Sequence, residues 1–187
     1  MTSTPSPSNH VGLERLVMKW ELVGIAFVFL AGALLHFVFA WSGEARVVAL
    51  FASVNESVWE HFKQGFFPMC VYAFVEWVFL RRKVGNLLTA KAVAVYVLPA
   101  ITGLVFYGYT AVVGEEILMV DILIFLAAVI VAQLISYRIL VSRPLPGYAG
   151  VSSAVFILAL AAVLMLFTFY PPHLPIFMDG QGFYGLP

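Results

Sequence analysis

Apolar residues fall into five long blocks, Leu22–Trp41, Gly65–Leu80, Ala92–Val113, Ile117–Tyr137 and Tyr148–Phe169, with short polar breaks between them. A helix rises about 1.5 Å per residue, so about twenty residues cover a hydrocarbon core of about 30 Å. The first block has His36 as its only ionisable side chain, the third holds Pro99, Gly103 and Gly108, and the fourth carries Asp121 and Gln133. Glycine and proline are tolerated inside spanning helices, where they mark kinks or close packing. Gly65–Leu80 reaches only about 24 Å, so its helix is expected to begin in the polar stretch before it and to bend near Gly65 and Pro68. That stretch, Arg46–Gln64, has Val47, Leu50, Phe51, Val54, Val58 and Phe62 at helical spacing and Asn55, Glu56, Trp59, Glu60 and Lys63 on the other face. It reads as an amphipathic helix lying at the interface. Ser53-x-x-Glu56 and Ser57-x-x-Glu60 also fit a capping box, so a helix start inside the stretch is an alternative. The pattern predicts an all-α integral membrane bundle: five transmembrane helices plus one amphipathic interfacial helix.

The ends differ from the body. Residues 1–13 open with Ser, Thr and Pro and read as a disordered tail, leaving 14–187 as one transmembrane domain. Ala31-Gly32-Ala33 resembles a signal-peptide cleavage site, but the apolar run continues through Phe39, so the first helix is read as retained. Pro171-Pro172 end the fifth block. The segment 171–187 then brings Leu174, Ile176, Phe177, Phe183 and Tyr184 without a lysine or arginine, which predicts a cap folded back over the polar stretch.

Composition agrees. Hydrophobic residues make up 63 % and charged residues 11 %, far below the roughly 25 % charge that covers a soluble surface. Ten acidic and ten basic residues balance, which gives nucleic acid no basic footprint and leaves membrane lipids as the expected partner. The one cysteine, Cys70, excludes an intramolecular disulfide and a CxxC site. Arg15, Lys19, Arg81, Arg82, Lys83, Lys91, Arg138 and Arg143 share one side, against Arg46 and Lys63 on the other. Basic residues in short loops stay inside, so the N-terminus is expected in the cytoplasm and the C-terminus outside the cell membrane.

That orientation gathers ionisable groups at the outer boundary. His36 lies about 8 Å below it and Asp121 about 6 Å. His173 and Asp179 follow the last helix, and Glu56, Glu60 and His61 lie in the external stretch. His36, His61, His173 and Asp179 are the candidate ligands for a divalent metal, and Glu56, Glu60 and Asp121 the candidate catalytic carboxylates. No HExxH spacing is present, and Glu60 and His61 differ by about 100° around a helix. Asn55, Trp59 and Tyr184 are the neighbouring polar and aromatic candidates. Glu76 is placed near the midplane, where an acid costs about 2.5–3.5 kcal/mol on insertion scales and is expected to be neutral, paired or functional. Each of these groups also has a plain structural reading, as helix cap, solvated face or interhelical hydrogen bond.

The blocks WELVGIAFVFLAGALLHFVFAWSG (Trp20–Gly43), LFASVNESVWEHFKQGFFPM (Leu50–Met69) and FTFYPPHLPIFMDGQGFYG (Phe167–Gly185) resemble a family of small prokaryotic membrane proteins of unknown function. Asp121-Ile122-Leu123 and Ser136-Tyr137-Arg138 are weaker marks of the same likeness. The chain departs from the family pattern at Ala40, where members commonly have an acid. It also departs at Met178–Gly185, where the pattern is Asp-Pro-x-Thr-Gly-x-Tyr-Gly. The resemblance implies membership and fold and no activity. Three functions stay open: a metal-dependent or acid/base enzyme facing outwards, a small transporter or proton-coupled permeation unit built on Glu76, and a structural or sensory protein. The transporter version needs a homodimer, because five helices form a narrow bundle.

Overall fold

The computed structural model describes residues 7–186, with side chains from Val11 onward. The expected tail is helical from Pro7, and residues 1–6 lie outside the described residues. The elements are α1 (Pro7–Trp41), α2 (Arg46–Ala49), α3 (Val58–Leu80), α4 (Leu87–Val113), α5 (Leu118–Leu140), α6 (Gly147–Phe169) and a 3₁₀ turn at Pro175–Phe177. Among the described residues the one β feature is an isolated antiparallel bridge between Met178 and Tyr184. The long helices run up and down through short connections: α3 lies against α1 and α4, α5 against α4 and α1, and α6 mainly against α4.

The chain stops its helices with local chemistry. Ser57 caps α3, its hydroxyl accepting from the Glu60 amide. Gly114, left-handed at φ 86°, ends α4. The core is built by Phe66, Met69 and Tyr72 of α3 against Ala94, Val95 and Leu98 of α4, with Val28, Ala128, Val129, Ala132 and Leu164 from the other helices. Small residues set the spacing: a Cβ on Gly32 would stand 2.5 Å from the Gln64 carbonyl oxygen, so α1 and α3 meet with backbone against side-chain-free backbone.

Two expectations need correction. Four helices, not five, are long and apolar enough to cross a membrane: Val11–Trp41 within α1, then α4, α5 and α6. The block left out is the second, Gly65–Leu80, which belongs to α3, whose apolarity is diluted by Glu60, Lys63, Gln64 and Glu76. The amphipathic helix over 46–64 is absent: four residues form α2, the chain turns irregularly to Ser57, and α3 begins at Val58 and continues through Pro68. The reason is that Glu60 and Lys63 point into the bundle and pair there, so the polar face is consumed by packing and is not left for an interface.

Candidate functional site

One end of the bundle gathers the end of α1, the start of α3, the end of α6, the 50–57 loop and the C-terminal segment. Its foundation is a buried ionic cluster. Lys63 and Glu60 pair at 2.5 Å, with both side chains fully enclosed. Lys63 also donates to the Ala49 carbonyl and to Thr168 Oγ1, each at 2.8 Å. Glu60 accepts from the Val54 amide and from the Thr168 hydroxyl, and Ser53 donates to the Glu60 carbonyl at 3.0 Å. The bonds of Ala49, Ser53 and Val54 tie the 49–57 segment to α3, and those of Thr168 tie α3 to α6, which together fix the loop that carries Glu56. Asn55 finishes the loop: its Oδ1 accepts from the Ser57 amide and its Nδ2 donates to the Gly185 carbonyl at 2.8 Å.

The loop sets Glu56 between two imidazoles. His36 Nε2 stands 3.4 Å from Glu56 Oε1, and His61 Nε2 3.6 Å from Glu56 Oε2. One ligand atom from each of the three residues lies within 4.8 Å of the others, the one such triple among the described residues. The imidazoles are about a third exposed and Glu56 is two-thirds exposed, so the site opens to solvent.

The second hydrogen bond of each ring fixes its tautomer. His61 Nδ1 lies 2.8 Å from the Ser57 carbonyl, which only accepts, so Nδ1 carries the proton and Nε2 faces Glu56 with a lone pair. Gln64 Nε2 donates to Ser53 Oγ at 3.1 Å and reaches His36 Nδ1 at 3.0 Å. Neutral His36 therefore carries its proton on Nε2. Its Nε2 becomes a ligand atom when the Gln64 amide turns over and presents Oε1 to Nδ1–H.

The other candidates lie elsewhere. Glu60 belongs to the ionic cluster below. Asp121 accepts from the Tyr109 hydroxyl at 2.6 Å, on the α4–α5 side. Asp179 Oδ1 accepts from the Gln181 and Phe183 amides and holds a turn. His173 stacks on Tyr184 with ring centroids 4.7 Å apart. None of these joins the triple: Glu60 is held in the ionic cluster, Asp121 and Asp179 are engaged at the α4–α5 turn and in the C-terminal turn, and the His173 ring lies on Tyr184. That segment does fold back: Trp59 packs on Phe177, and Leu186 packs against the cluster of Phe39, Ala49, Ala52 and Val54.

A second buried cluster lies toward the other end. Lys91 pairs with Glu76 at 2.6 Å and with Glu21 at 2.8 Å, and donates to Gln133 Oε1 at 3.2 Å. Ser136 donates to Glu21 Oε1 at 2.8 Å. All three ionic side chains are at most 1 % exposed. Glu76 is four residues from the end of α3, about 6 Å along the axis, so it sits near a helix end and not half-way down. Lys91, counted above among loop charges, is inside the bundle, and Lys63 is too, which leaves seven basic residues against one in the loop count. Glu21 and Lys91 escaped the sequence reading because each borders a block, where a charge looks like a stop signal.

Fold and site together define an all-helical bundle with apolar helices of membrane-crossing length and a solvent-facing His–Glu–His cluster at one end. The chain belongs to a family of unknown function (DUF6512), whose model matches residues 12–186. No curated protein and no solved structure matches the chain.

Proposed function

We propose that this is a five-span membrane protein whose His36–Glu56–His61 cluster holds a divalent, zinc-like metal ion for acid/base chemistry at the external face. The spacing of the cluster carries the reading. A charge-assisted N–H···O bond runs about 2.7–2.9 Å, so separations of 3.4 and 3.6 Å are too long for direct hydrogen bonds. Two ligands each about 2.0–2.1 Å from a tetrahedral zinc stand about 3.3 Å apart, and the two separations, one to each Glu56 oxygen, are close to that. His61 is already in the ligand tautomer, with its outer nitrogen held by a carbonyl. Three protein ligands and an open side leave room for a water or a substrate oxygen, as in catalytic zinc sites.

The fifth span is α3. Its 23 residues reach about 35 Å, and its charged groups face neighbouring helices. A helix whose buried charges are paired within the protein needs no apolar surface at those positions. The seven-to-one basic distribution supports a cytoplasmic N-terminus and an external His–Glu–His end. The Gln64 contact to His36 Nδ1 favours a second reading, a metal-free site in which His61 Nε2 is the general base and Glu56, facing it, stabilises the imidazolium formed when it takes a proton. The permeation reading loses weight, since Glu76 is enclosed and paired with Lys91.

Elemental analysis of detergent-purified protein, with zinc titration of wild type, His61→Ala and Glu56→Gln, tests the proposal. The expected result is one ion per chain in the wild type and at least about tenfold weaker binding in each variant. Wild-type protein that retains no divalent ion and takes up none on titration sinks the metal reading and leaves the metal-free one.

A further inference from the structure

Between α3, α4 and α6, near the end of the bundle that carries Arg81-Arg82-Lys83, two cavities share the walls Trp77, Leu87 and Leu88. The larger, about 340 Å³, is almost wholly apolar and runs along one face of α3, Cys70, Phe74 and Trp77, opposite Leu88 and Val95 of α4. Lys91 also borders it, but its ammonium is turned away into the pairs with Glu21 and Glu76. The smaller, about 140 Å³, holds Arg81 and Thr89. From Arg81 to Cys70 the groove follows α3 for about 16 Å, close to the depth of one leaflet of a hydrocarbon core about 30 Å thick.

The two cavities differ in chemistry in the way that the two ends of one amphiphile differ. Arg81 makes no salt bridge among the described residues, and its guanidinium is positioned 4.3 Å above the Trp77 ring. It is therefore an oriented, unneutralised fork of donors at the mouth of an apolar channel. The first turn of α4, which lines the same mouth, has no side-chain cap, because Asn86 Oδ1 accepts instead from the Leu145 amide while its Nδ2 donates to the Ile139 and Arg143 carbonyls. We infer that the groove is a binding site for an anionic glycerophospholipid, one acyl chain lying between α3 and α4 and the phosphate bound by Arg81. The inference rests on the membrane reading of the bundle and is independent of the metal.

The chain's one cysteine lines the groove and reports on it. In neutral detergent micelles, the rate of Cys70 alkylation by N-ethylmaleimide is measured with added phosphatidylglycerol, phosphatidylcholine or inorganic phosphate, and native mass spectrometry of the same samples reads lipid adducts without the thiol. Phosphatidylglycerol is expected to bind about tenfold more tightly than phosphatidylcholine, whose choline cation offsets the phosphate charge and opposes Arg81, and to slow alkylation accordingly. Inorganic phosphate, lacking a chain, is expected to leave Cys70 open. Arg81→Gln should erase the headgroup preference, Arg81→Lys should keep part of it, and Arg82→Gln should keep it whole. Equal protection and equal adducts with the two lipids in wild-type protein overturn the inference, and so does a preference that survives Arg81→Gln. Protection by inorganic phosphate alone also overturns it, replacing the lipid with a free anion site.

Discussion

The cluster of Glu21, Glu76 and Lys91 makes an unequal prediction for its three members. Two carboxylates face one ammonium, and all three side chains are sealed from solvent. Lys91 is the shared partner. Lys91→Met preserves length and apolar volume but leaves two acids enclosed without a cation. Breaking a buried pair by removing one partner costs about 3–5 kcal/mol, and here two pairs break at once. Glu76→Gln behaves differently. Lys91 keeps Glu21 Oε1 and Gln133 Oε1, the amide oxygen can replace Glu76 Oε2, and repulsion between the acids is removed. Neither Glu76 oxygen accepts a hydrogen bond beyond the ion pair, so few other contacts are lost, and a change of about 1 kcal/mol or less is expected. Glu21→Gln should also be mild, a little worse for the weakened Ser136 bond. The double variant Glu21→Gln with Glu76→Gln strands Lys91 and should approach the Lys91→Met loss, far beyond the sum of the singles. Unfolding of detergent-solubilised protein, followed by helical circular dichroism against denaturing detergent, measures all four. If Glu76→Gln is as damaging as Lys91→Met, or if the double variant is merely additive, the shared-cation reasoning is wrong.

Two further predictions concern the other end. Gln64→Glu offers His36 Nδ1–H a carboxylate in place of an amide, so zinc affinity should rise by up to about tenfold while the metal-free protein loses stability; unchanged affinity argues that His36 is no ligand. Gly185 sits at φ 69°, and a Cβ there would lie 2.8 Å from the Thr168 carbonyl oxygen, so Gly185→Ala should cost about 1–3 kcal/mol and loosen the cap. Limited proteolysis within residues 171–186 checks it, and wild-type resistance in the variant contradicts the packing argument.

Much of the fold was legible because helices long and apolar enough to cross a membrane stand out as long apolar blocks: α4, α5 and α6 begin and end within about five residues of the blocks read from the pattern. α3 was harder, since its charges dilute apolarity and look like an interfacial face until their partners are known. Those partners are distant in sequence: Thr168 for Lys63, Lys91 for Glu76. Periodicity reports which residues share a face and is silent on what that face meets. The site was half legible for the same reason. His36, Glu56 and His61 were candidates from residue type and depth, and their grouping depended on a loop shape set by Ser53, Asn55 and Ser57. His173 and Asp179 share the end of the bundle but are used by Tyr184 and by a local turn.

The two ionic clusters also explain how an apolar bundle chooses one register. Lipid offers little to distinguish one rotation of α3 from another, because apolar side chains lose nothing by facing tails. Polar contacts do distinguish them. Turning α3 by one residue moves its side chains about 100° around the axis, which would take Lys63 from Thr168 and Glu76 from Lys91 together. Glu60–Lys63 and Glu76 stand at opposite ends of the helix, about 20 Å apart, so sliding along the axis breaks both sets as surely as rotation. Only an α3 already in register with α1, α4 and α6 satisfies Glu21, Thr168 and Lys91 at once. The same register brings His61 beneath His36 and lets Glu60 hold the loop that carries Glu56, so the residues that align the helix also assemble the His–Glu–His cluster.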